Sequence, residues 1–444
     1  MKKSETNDIS RRDLLVKTGA AVATGAALIR TAQAATSHGT GRAWPPARPG
    51  RDYTPVEVPN GTKLPFKIVG GVKVFHLIAE EVEHELAPGL KVKCWGYNGH
   101  VHGPVIEAVE RDRVRIYVTN HLPEATTVHW HALLVPNGMD GVGGLTQKAI
   151  APGETFKYEF TLRQSGTAMY HSHHDEMTQM ALGMTGMFVI HPRRPSHDAD
   201  RDFVLLLHEW RVDPGAARPD PMEMTEFNVL TMNARAFPGT DSLVVRTGQR
   251  VRVRLGNLSA MDHHPIHLHG YQFKVTETDG GQIPVSAQWP ETTVLVPVGS
   301  TRTIEFVADV PGDWAMHCHM THHLMTQMAH GLPNLIGIDP ASLDEKVRKV
   351  LPGYMTMGQS GMGDMAEMQM PVPKNSIPMR ATRGKHDAIT MGGMFTILKV
   401  RDGLTSFGDP GWYDNPPGTL ATNATDADLA RDGITVGASG PEKG

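Results

Sequence analysis

Cys318 stands between His317 and His319 and is followed by His323 and Met328. The last two residues come five and ten positions after the cysteine, and thiolate, imidazole and a weak axial thioether together form the ligand set of a mononuclear blue-copper site. Side chains alternate between the two faces of a β-strand, so Cys318 would point one way and its flanking histidines the other. One strand can therefore hold two metal sites back to back, which indicates electron transfer from a reductant to a multinuclear copper site.

Three further histidine pairs have the same i, i+2 spacing. They are His129 with His131, His171 with His173, and His267 with His269, and the last pair is preceded by His264. A single such pair is typical of any strand with a polar face, whereas four pairs, one of them enclosing a cysteine, indicate metal ligands. Imidazole suits copper, zinc, iron and nickel, and the added cysteine, histidine and methionine select copper.

These motifs resemble those of the multicopper oxidases, the family of laccases and cuprous oxidases, over about residues 65 to 340. The resemblance includes W-G-Y-N-G at 95–99, N-G-M-D-G at 137–141 and P-G-E at 152–154. Two departures are Ala132, where the family usually has glycine, and Tyr271, where it often has histidine. Neither departure removes a ligand. The resemblance implies an oxidase that takes single electrons from a small phenolic or metal-ion reductant and uses dioxygen as the acceptor, reducing it to water.

The resemblance also assigns the ligands of about four copper ions per chain. The type 2 copper would be held by His129 and His267. The type 3 pair would be held by His131, His171, His173, His269, His317 and His319, and the type 1 copper by His264, Cys318 and His323 with Met328 axial. Cys318 would also conduct electrons to its neighbours, which makes it a candidate catalytic residue.

Dioxygen reduction needs protons, and Asp140 matches the family position of a carboxylate near the cluster that could relay them. The alternative is an ordinary turn aspartate in N-G-M-D-G. His322 is a candidate proton carrier or a packing residue, the second being favoured. His174 and His263 adjoin ligands and are interpreted as neighbours of the metal sites, not as further ligands.

Composition limits the remaining possibilities. The chain has 444 residues, which suggests two to three domains, and its 43 basic and 47 acidic residues give no reason to expect a nucleic-acid or membrane partner. The other cysteine, Cys94, is expected to be a buried free thiol because Cys318 is assigned to metal.

The N-terminal residues 1–34 resemble a twin-arginine signal peptide. Arg11 and Arg12 precede a mild apolar run and an A-x-A cleavage site, so a periplasmic or otherwise exported protein is expected.

The chain repeats itself, since M-T-Q-M-A-x-G follows both the second and the fourth histidine pair. Self-similarity on this scale implies a duplicated domain. Short runs rich in Val, Ile, Phe and Thr predict an all-β fold of two tandem antiparallel Greek-key β-sandwiches, and the resemblance narrows them to cupredoxins. The predicted bounds are an N-terminal linker at 35–62, domain 1 at 63–195, domain 2 at 200–345 and a methionine-rich extension at 346–444.

The second repeat alone carries the full mononuclear set. Ser172 occupies the position of Cys318, nothing in the shorter first loop matches His323, and Met180 is the counterpart of Met328. There is no room for the middle cupredoxin of three-domain laccases. Resemblance to two-domain laccases therefore implies that domain 1 of one chain meets domain 2 of its neighbour, and a closed ring, simplest as a homotrimer, follows.

Methionine bears on the substrate. Nine of the 24 methionines lie between Met355 and Met394. Thioethers suit Cu(I), so this segment could collect cuprous ion. The alternative is a tail that wraps the core, with methionines as apolar fillers.

Two other functions compete with the oxidase. One is a periplasmic copper-binding protein for copper tolerance. The other is a copper nitrite reductase, although that family has its blue copper in the first domain and lacks the second-domain H-C-H.

Overall fold

The structure, a computed structural model, describes residues 44–195, 198–324, 341–352, 374–377 and 382–436. These residues, apart from Trp44, belong to one unit, Pro45–Gly444. The expected signal peptide, Met328 and the methionine-rich run 353–373 lie outside the described residues. No helix in the described part of the chain combines the length and the apolar character needed to cross a membrane.

The first half of the described chain is built almost entirely from strands. They are β1 (Phe66–Val69), β2 (Val72–Ala87), β3 (Leu90–Tyr97), β4 (Gly103–Val109), β5 (Arg113–Asn120), β6 (His129–His131), β7 (Thr155–Thr161), β8 (Gly166–His171) and β9 (Thr185–His191), with helix α1 at Glu176–Ala181 and a 3-10 turn at Asn137–Met139.

The second half repeats this composition. Its strands are β10 (Arg201–Trp210), β11 (Val229–Met232), β12 (Leu243–Arg246), β13 (Arg250–Asn257), β14 (His264–Leu268), β15 (Phe273–Thr278), β16 (Gly281–Gln282), β17 (Pro290–Glu291), β18 (Thr293–Val296), β19 (Ser300–Val307), β20 (Gly312–Cys318), β21 (Thr382–Arg383), β22 (Ala388–Ile389) and β23 (Phe395–Arg401). Helices α2 and α3 span Ala341–Arg348 and Asp426–Asp432, and 3-10 turns lie at Val285–Ala287 and Thr321–Leu324.

Two sheets enclose the first hydrophobic core. One has the order β1-β2-β5-β7 with β3 also paired to β2, and the other has the order β4-β9-β8-β6. Strand β5 alternates buried and more exposed residues along its length, as expected when one face of a sheet covers a core. Trp130 and Phe188 are fully buried between the two sheets. Strands β6 and β8 are neighbours, which brings the first two histidine pairs together.

The second half forms the equivalent sandwich. Its sheets have the orders β11-β10-β13-β19-β15-β16, with β17 paired to β15, and β12-β23-β20-β14-β18. The all-β prediction of two sandwiches is confirmed, but the sheets are mixed, since β2–β5, β4–β9, β10–β13 and β12–β23 pair in parallel. A chain that crosses to the opposite sheet and returns can re-enter the first sheet in the same direction, which the sequence pattern does not reveal.

Two segments outside the predicted domain bounds pack on the sandwiches. β23 falls in the range 346–444, yet it lies between β12 and β20 in the second sandwich. The described part of the predicted linker, 44–62, also packs on the body. Val56 in this part is buried, and Glu57 exchanges backbone hydrogen bonds with Asp202 and Val204 of β10.

The two sandwiches share an apolar junction. Alternate residues of β10 divide between them, because Leu205 and Leu207 belong to the second core whereas Val204 and Leu206 pack against Met169 and other residues of the first half. A strand buried on both faces reads as a continuous apolar run, and β10 has the sequence RDFVLLLHEW with every residue buried.

Candidate metal centres

Three buried donor atoms converge where β14 and β20 meet the turn Thr321–Leu324. The Sγ atom of Cys318 lies 3.5 Å from Nδ1 of His323 and 3.8 Å from Nδ1 of His264, and the two nitrogens lie 3.2 Å apart. His264 and Cys318 are fully buried, and His323 is 5% exposed. β14 and β20 pair side by side, with Ile266 opposite Cys318, so the sheet brings these distant residues together. The fourth predicted ligand, Met328, lies outside the described residues.

The protonation of this group suits a metal. Burial lowers the pKa of His264 and of His323, so both rings are neutral at neutral pH. Burial also raises the pKa of the Cys318 thiol to about 12, and a bound metal ion displaces such a proton. The ring nitrogens that face away from Cys318 also have polar partners. Nε2 of His264 lies 2.6 Å from Oγ of Ser259, and Nε2 of His323 lies 3.3 Å from the Asp262 carboxylate. Two neutral imidazoles and one thiol that ionises on binding fit copper.

The four predicted histidine ligands of the first half form one cluster at the edge of β6 and β8. His129 pairs with His171 across these strands, and the ring centroids in contact lie 5.4 to 6.0 Å apart. Ligand nitrogens of His129, His131 and His171 all lie within 4.8 Å of one another. The second half has the same arrangement. His267 pairs with His317 across β14 and β20, and the centroids there lie 4.8 to 5.6 Å apart.

Hydrogen bonds to carbonyl groups show which ring nitrogen carries a proton in the first cluster. A carbonyl oxygen only accepts, so Nε2 of His131 donates to Gly299 and Nδ1 of His171 donates to Ser172, each over 2.8 Å. Burial lowers the pKa of both rings, that of His171 to about 3. Each neutral ring keeps one bare lone pair, and these two nitrogens lie 3.3 Å apart.

The second cluster contains a similar close approach of two ring nitrogens. Nδ1 of His317 donates to the carbonyl of Cys318 over 2.9 Å, and its bare Nε2 lies 3.1 Å from Nε2 of His269. Burial is the main cause that lowers the pKa of both rings. In the first cluster the facing lone pairs repel each other unless a cation lies near both. In the second cluster the bare Nε2 of His317 points at another imidazole. Both clusters therefore fit the copper ions implied by the resemblance.

The two clusters are separate within one chain. Among the described residues, hydrogen bonds and ring contacts link histidines within each cluster, and no such contact joins a histidine of the first cluster to one of the second. One chain therefore brings together four of the eight predicted trinuclear ligands at each of two places.

Two carboxylates lie beside the first cluster. Oδ1 of Asp140 is 3.5 Å from Nδ1 of His129, whose hydrogen bond of 2.7 Å goes to the Asp140 backbone carbonyl. Glu176, at the start of α1, lies 3.4 Å from Nδ1 of His171 and 3.8 Å from Nε2 of His173. Sequence reasoning missed Glu176, although its position three residues after His173 was a signal that could have found it.

Polar side chains fill the place in the first sandwich that corresponds to the cysteine site. Ser172, at the position of Cys318, lies 2.5 Å from Oε1 of Gln179, and Thr126, at the position of His264, donates to the same oxygen over 2.7 Å. All three side chains are buried. This closed hydroxyl and amide network leaves no thiol or imidazole donor at the equivalent place in the first half.

Other histidines singled out from the sequence lie at the edges of these sites. His322 is exposed, which does not support the favoured packing role. Nδ1 of His263 accepts a hydrogen bond from the backbone of Val298, and His174 follows the first cluster with its backbone bonded to Ser172. The side chain of His264 is fully buried, so it offers no exposed edge to a reductant.

Comparisons with known proteins agree with this geometry. Family profiles described as multicopper oxidase match residues 79–195 and 213–335, together more than half of the chain. Copper resistance protein A of Escherichia coli is 40% identical over 322 residues, which is 61% of this chain and 52% of that protein. Laccase-1 of Cryptococcus neoformans var. grubii is 31% identical over 222 residues, which is 43% of this chain and 35% of the relative. The chain thus spans about half or less of the length of these two relatives.

A solved structure shares the fold. The blue copper oxidase of Nitrosomonas europaea superposes with a TM-score of 0.55 at 25% identity, over 74% of this chain and 85% of that one. The matched profiles cover both histidine clusters and the buried cysteine group. With its two sandwiches, its paired H-x-H strands and these matches, the chain belongs to the multicopper oxidase family.

Proposed function

We propose that this chain is a laccase-like oxidase that couples one-electron oxidation of phenols or low-valent metal ions to the four-electron reduction of dioxygen to water. The observation that carries the proposal is that β20 places Cys318 in a buried mononuclear ligand set while His317 and His319 belong to a histidine cluster on its other face. Copper bound at these positions supplies the redox chemistry, accepting electrons singly and passing them to dioxygen.

The residues around Cys318 define where a reductant docks. The side chain of His264 is fully buried and has no access to solvent. Nε2 of His323 lies beside the carboxylate of Asp262, whose side chain is 36% exposed. A reductant therefore approaches over Asp262 and His323. The Asp262 carboxylate favours cationic reductants and those that donate a hydrogen bond.

The histidine clusters complete each other between chains. Each chain presents two half-sets of four imidazoles, and a ring in which the first cluster of one chain meets the second cluster of its neighbour joins them without unpaired ends. Light scattering coupled to gel filtration is expected to give a trimer with about four copper ions per chain. A monomer that retains the complete trinuclear copper signal would contradict this assembly.

The substrate class includes cuprous ion. The relative with 40% identity is named copper resistance protein A, and the methionine run supplies soft thioether ligands. Oxygen uptake on Cu(I) and on a bulky phenol, with and without residues 353–373, tests this. The deletion ends before Met394 and β23 because both are buried in the second sandwich. Loss of Cu(I) turnover with unchanged phenol turnover is expected, and equal rates would refute a copper-collecting role.

Export to the periplasm through the twin-arginine route is proposed from Arg11 and Arg12. The variant with both arginines replaced by lysine is expected to stay in the cytoplasm, as measured by cell fractionation. A variant that still reaches the periplasm would argue against this route.

The decisive test of the oxidase is Cys318→Ser. We expect the variant to lose its intense visible absorbance and its oxygen uptake while the histidine clusters keep their copper. Cys94→Ser is the control, because Cys94 is a buried free thiol in the junction between the halves, away from the metal ligands. Undiminished oxygen uptake by Cys318→Ser would rule the proposal out, as would nitrite consumption without oxygen uptake by the unmodified protein.

A further inference from the structure

A second group of buried histidines, which belongs to none of the ligand sets described above, lies at the junction of the two sandwiches. His102 stands between β3 and β4 of the first sandwich and is 8% exposed, and His208 in β10 of the second sandwich is 2% exposed. Even-numbered residues of β10 face the first sandwich, so His208 points across the junction. The two rings are in contact, with centroids 5.2 Å apart and planes at 76°.

Three of the four ring nitrogens in this pair lack a hydrogen bond of normal geometry. Nδ1 of His102 lies 2.5 Å from Oγ1 of Thr185, but its Nε2 is buried and unpaired. Both ring nitrogens of His208 are buried and lack a hydrogen bond of normal geometry. Burial lowers the pKa of this ring to about 4, although the carbonyls of Leu258 and Met180 lie close enough to oppose that shift. Leaving a buried polar atom unpaired is unfavourable, so three such nitrogens in one place require an explanation.

The arrangement of His102 repeats that of the metal ligands in this chain. His129, His171, His267 and His317 each have one nitrogen bonded to an oxygen and leave the other free, a pattern that orients an imidazole toward a metal. The separation also matches, since His264 and His323 have centroids 5.1 Å apart. An ion about 2 Å from one nitrogen of each ring places the two centroids about 6 Å apart when the two bonds are collinear and about 5 Å apart when they meet at a bent angle, and the observed separation corresponds to the bent case.

We propose that His102 and His208 together bind one Cu(I) ion that bridges the two sandwiches. The cost of burying an ion grows with the square of its charge, and this pair offers two neutral donors in an apolar junction lined by Trp210. Zinc prefers four ligands, which the pair does not provide. A monovalent soft ion that accepts few ligands suits it best.

Elemental analysis of the copper-loaded holoprotein tests the proposed Cu(I) site between His102 and His208. His102→Phe and His208→Phe each replace a ring by one of similar shape, and His100→Phe is the matched control because His100 is exposed on the same loop. Each junction variant is expected to hold about one copper ion per chain less than the control, with unchanged visible absorbance from the Cys318 site. Equal copper content in all the proteins overturns the proposal.

A crystal of the unmodified holoprotein keeps the test decisive if a junction variant fails to fold. Diffraction at the copper absorption edge is expected to give an anomalous peak between the two rings. A water molecule there, or zinc, overturns the proposal. The outcome does not depend on oxidase activity. If the unmodified holoprotein showed no visible absorbance from the Cys318 site, that result would count against the proposed function and not against this inference.

Discussion

The oxygen atom hydrogen-bonded to one nitrogen of each imidazole decides which nitrogen would be free to bind a copper ion. Nδ1 of His129 donates to the Asp140 carbonyl and Nδ1 of His267 to the Thr292 carbonyl, both over 2.7 Å, which frees Nε2 in each ring. His131 is reversed, because its Nε2 donates to Gly299. Histidine spacing predicts the candidate ligands, but their tautomers follow from partners that lie 11, 25 and 168 residues away in the chain.

Ser259 is expected to support the mononuclear site. Its hydroxyl lies 2.6 Å from Nε2 of His264, and loss of such an orienting partner lowers metal affinity by roughly 10–100-fold. Ser259→Ala is therefore expected to need that much more free copper to reach half of its full visible absorbance. Ser242→Ala, in a loop away from the metal, is the control. Identical copper titrations of the two variants would contradict the expectation.

His84 is expected to reduce stability in acid. Burial lowers its pKa from 6.5 to about 4 in the folded chain. The unfolded chain binds this proton as the pH falls below 6.5 and the folded chain does not, so the free energy of unfolding falls between pH 6.5 and pH 4, by at most about 3 kcal/mol. Above pH 6.5 the effect is absent.

Urea unfolding at several pH values measures this effect. His84→Gln is expected to lose less stability than the unmodified protein across this window, whereas the exposed His121→Gln is expected to follow the unmodified protein. Parallel pH profiles for all three proteins would show that His84 does not contribute.

At the scale of elements, one turn positions the first cluster. The segment Asn137–Gly141 carries the Asp140 carbonyl that holds His129, and it packs back onto the backbone just before β6. Gly141 has φ +86°, and a Cβ atom on it would lie 1.8 Å from the carbonyl oxygen of Val128. The turn therefore requires glycine for its conformation and for its close approach.

Gly141→Ala is expected to disturb the copper held by His129. The strained backbone costs about 1–3 kcal/mol, and the clash with Val128 moves the residue directly before that ligand. Copper content and the free energy of unfolding are both expected to fall. Gly138→Ala in the same turn is the matched control, because a Cβ atom there meets nothing within 4 Å. Equal behaviour of the two variants would be inconsistent with this role for the turn.

At the scale of the whole molecule, a buried ionic network crosses the junction between the sandwiches. Arg254 of β13 is fully buried and bonds Asp202 over 2.8 and 2.9 Å and Glu277 over 3.0 Å. It also donates to Thr167 of β8 in the first sandwich over 2.8 Å. This network fixes the relative position of the sheets that carry the two clusters.

Asp202→Asn is expected to destabilise the protein by about 3–5 kcal/mol, because removing one partner leaves a buried charge uncompensated. The exposed pair of Arg302 and Asp279, 3.2 Å apart, provides the control, and Asp279→Asn is expected to cost less than about 1 kcal/mol. Urea unfolding of the copper-free proteins measures both. A cost for Asp202→Asn as small as that of the control would mean that the network does not stabilise the junction.

Much of the candidate site could be predicted because its signals are local. The alternation along β20 separates Cys318 from His317 whatever the rest of the fold does, and the H-x-H spacing identifies the neighbours that share a face. Gln179 and Ser259 could not be found this way. Each acts through a hydrogen bond to a residue on a different element, and amino-acid spacing carries no record of such contacts.

The sequence by itself determined the ligand types, their division into a cysteine site and two histidine clusters, and the two-sandwich, all-β fold, because each depends on periodicity within a few residues. Only the tertiary structure decided that His264 is closed to solvent, that β23 completes the second sandwich, and that His102 meets His208. These features arise from contacts between segments far apart in the chain, where packing and the pairing of buried polar groups choose the partners.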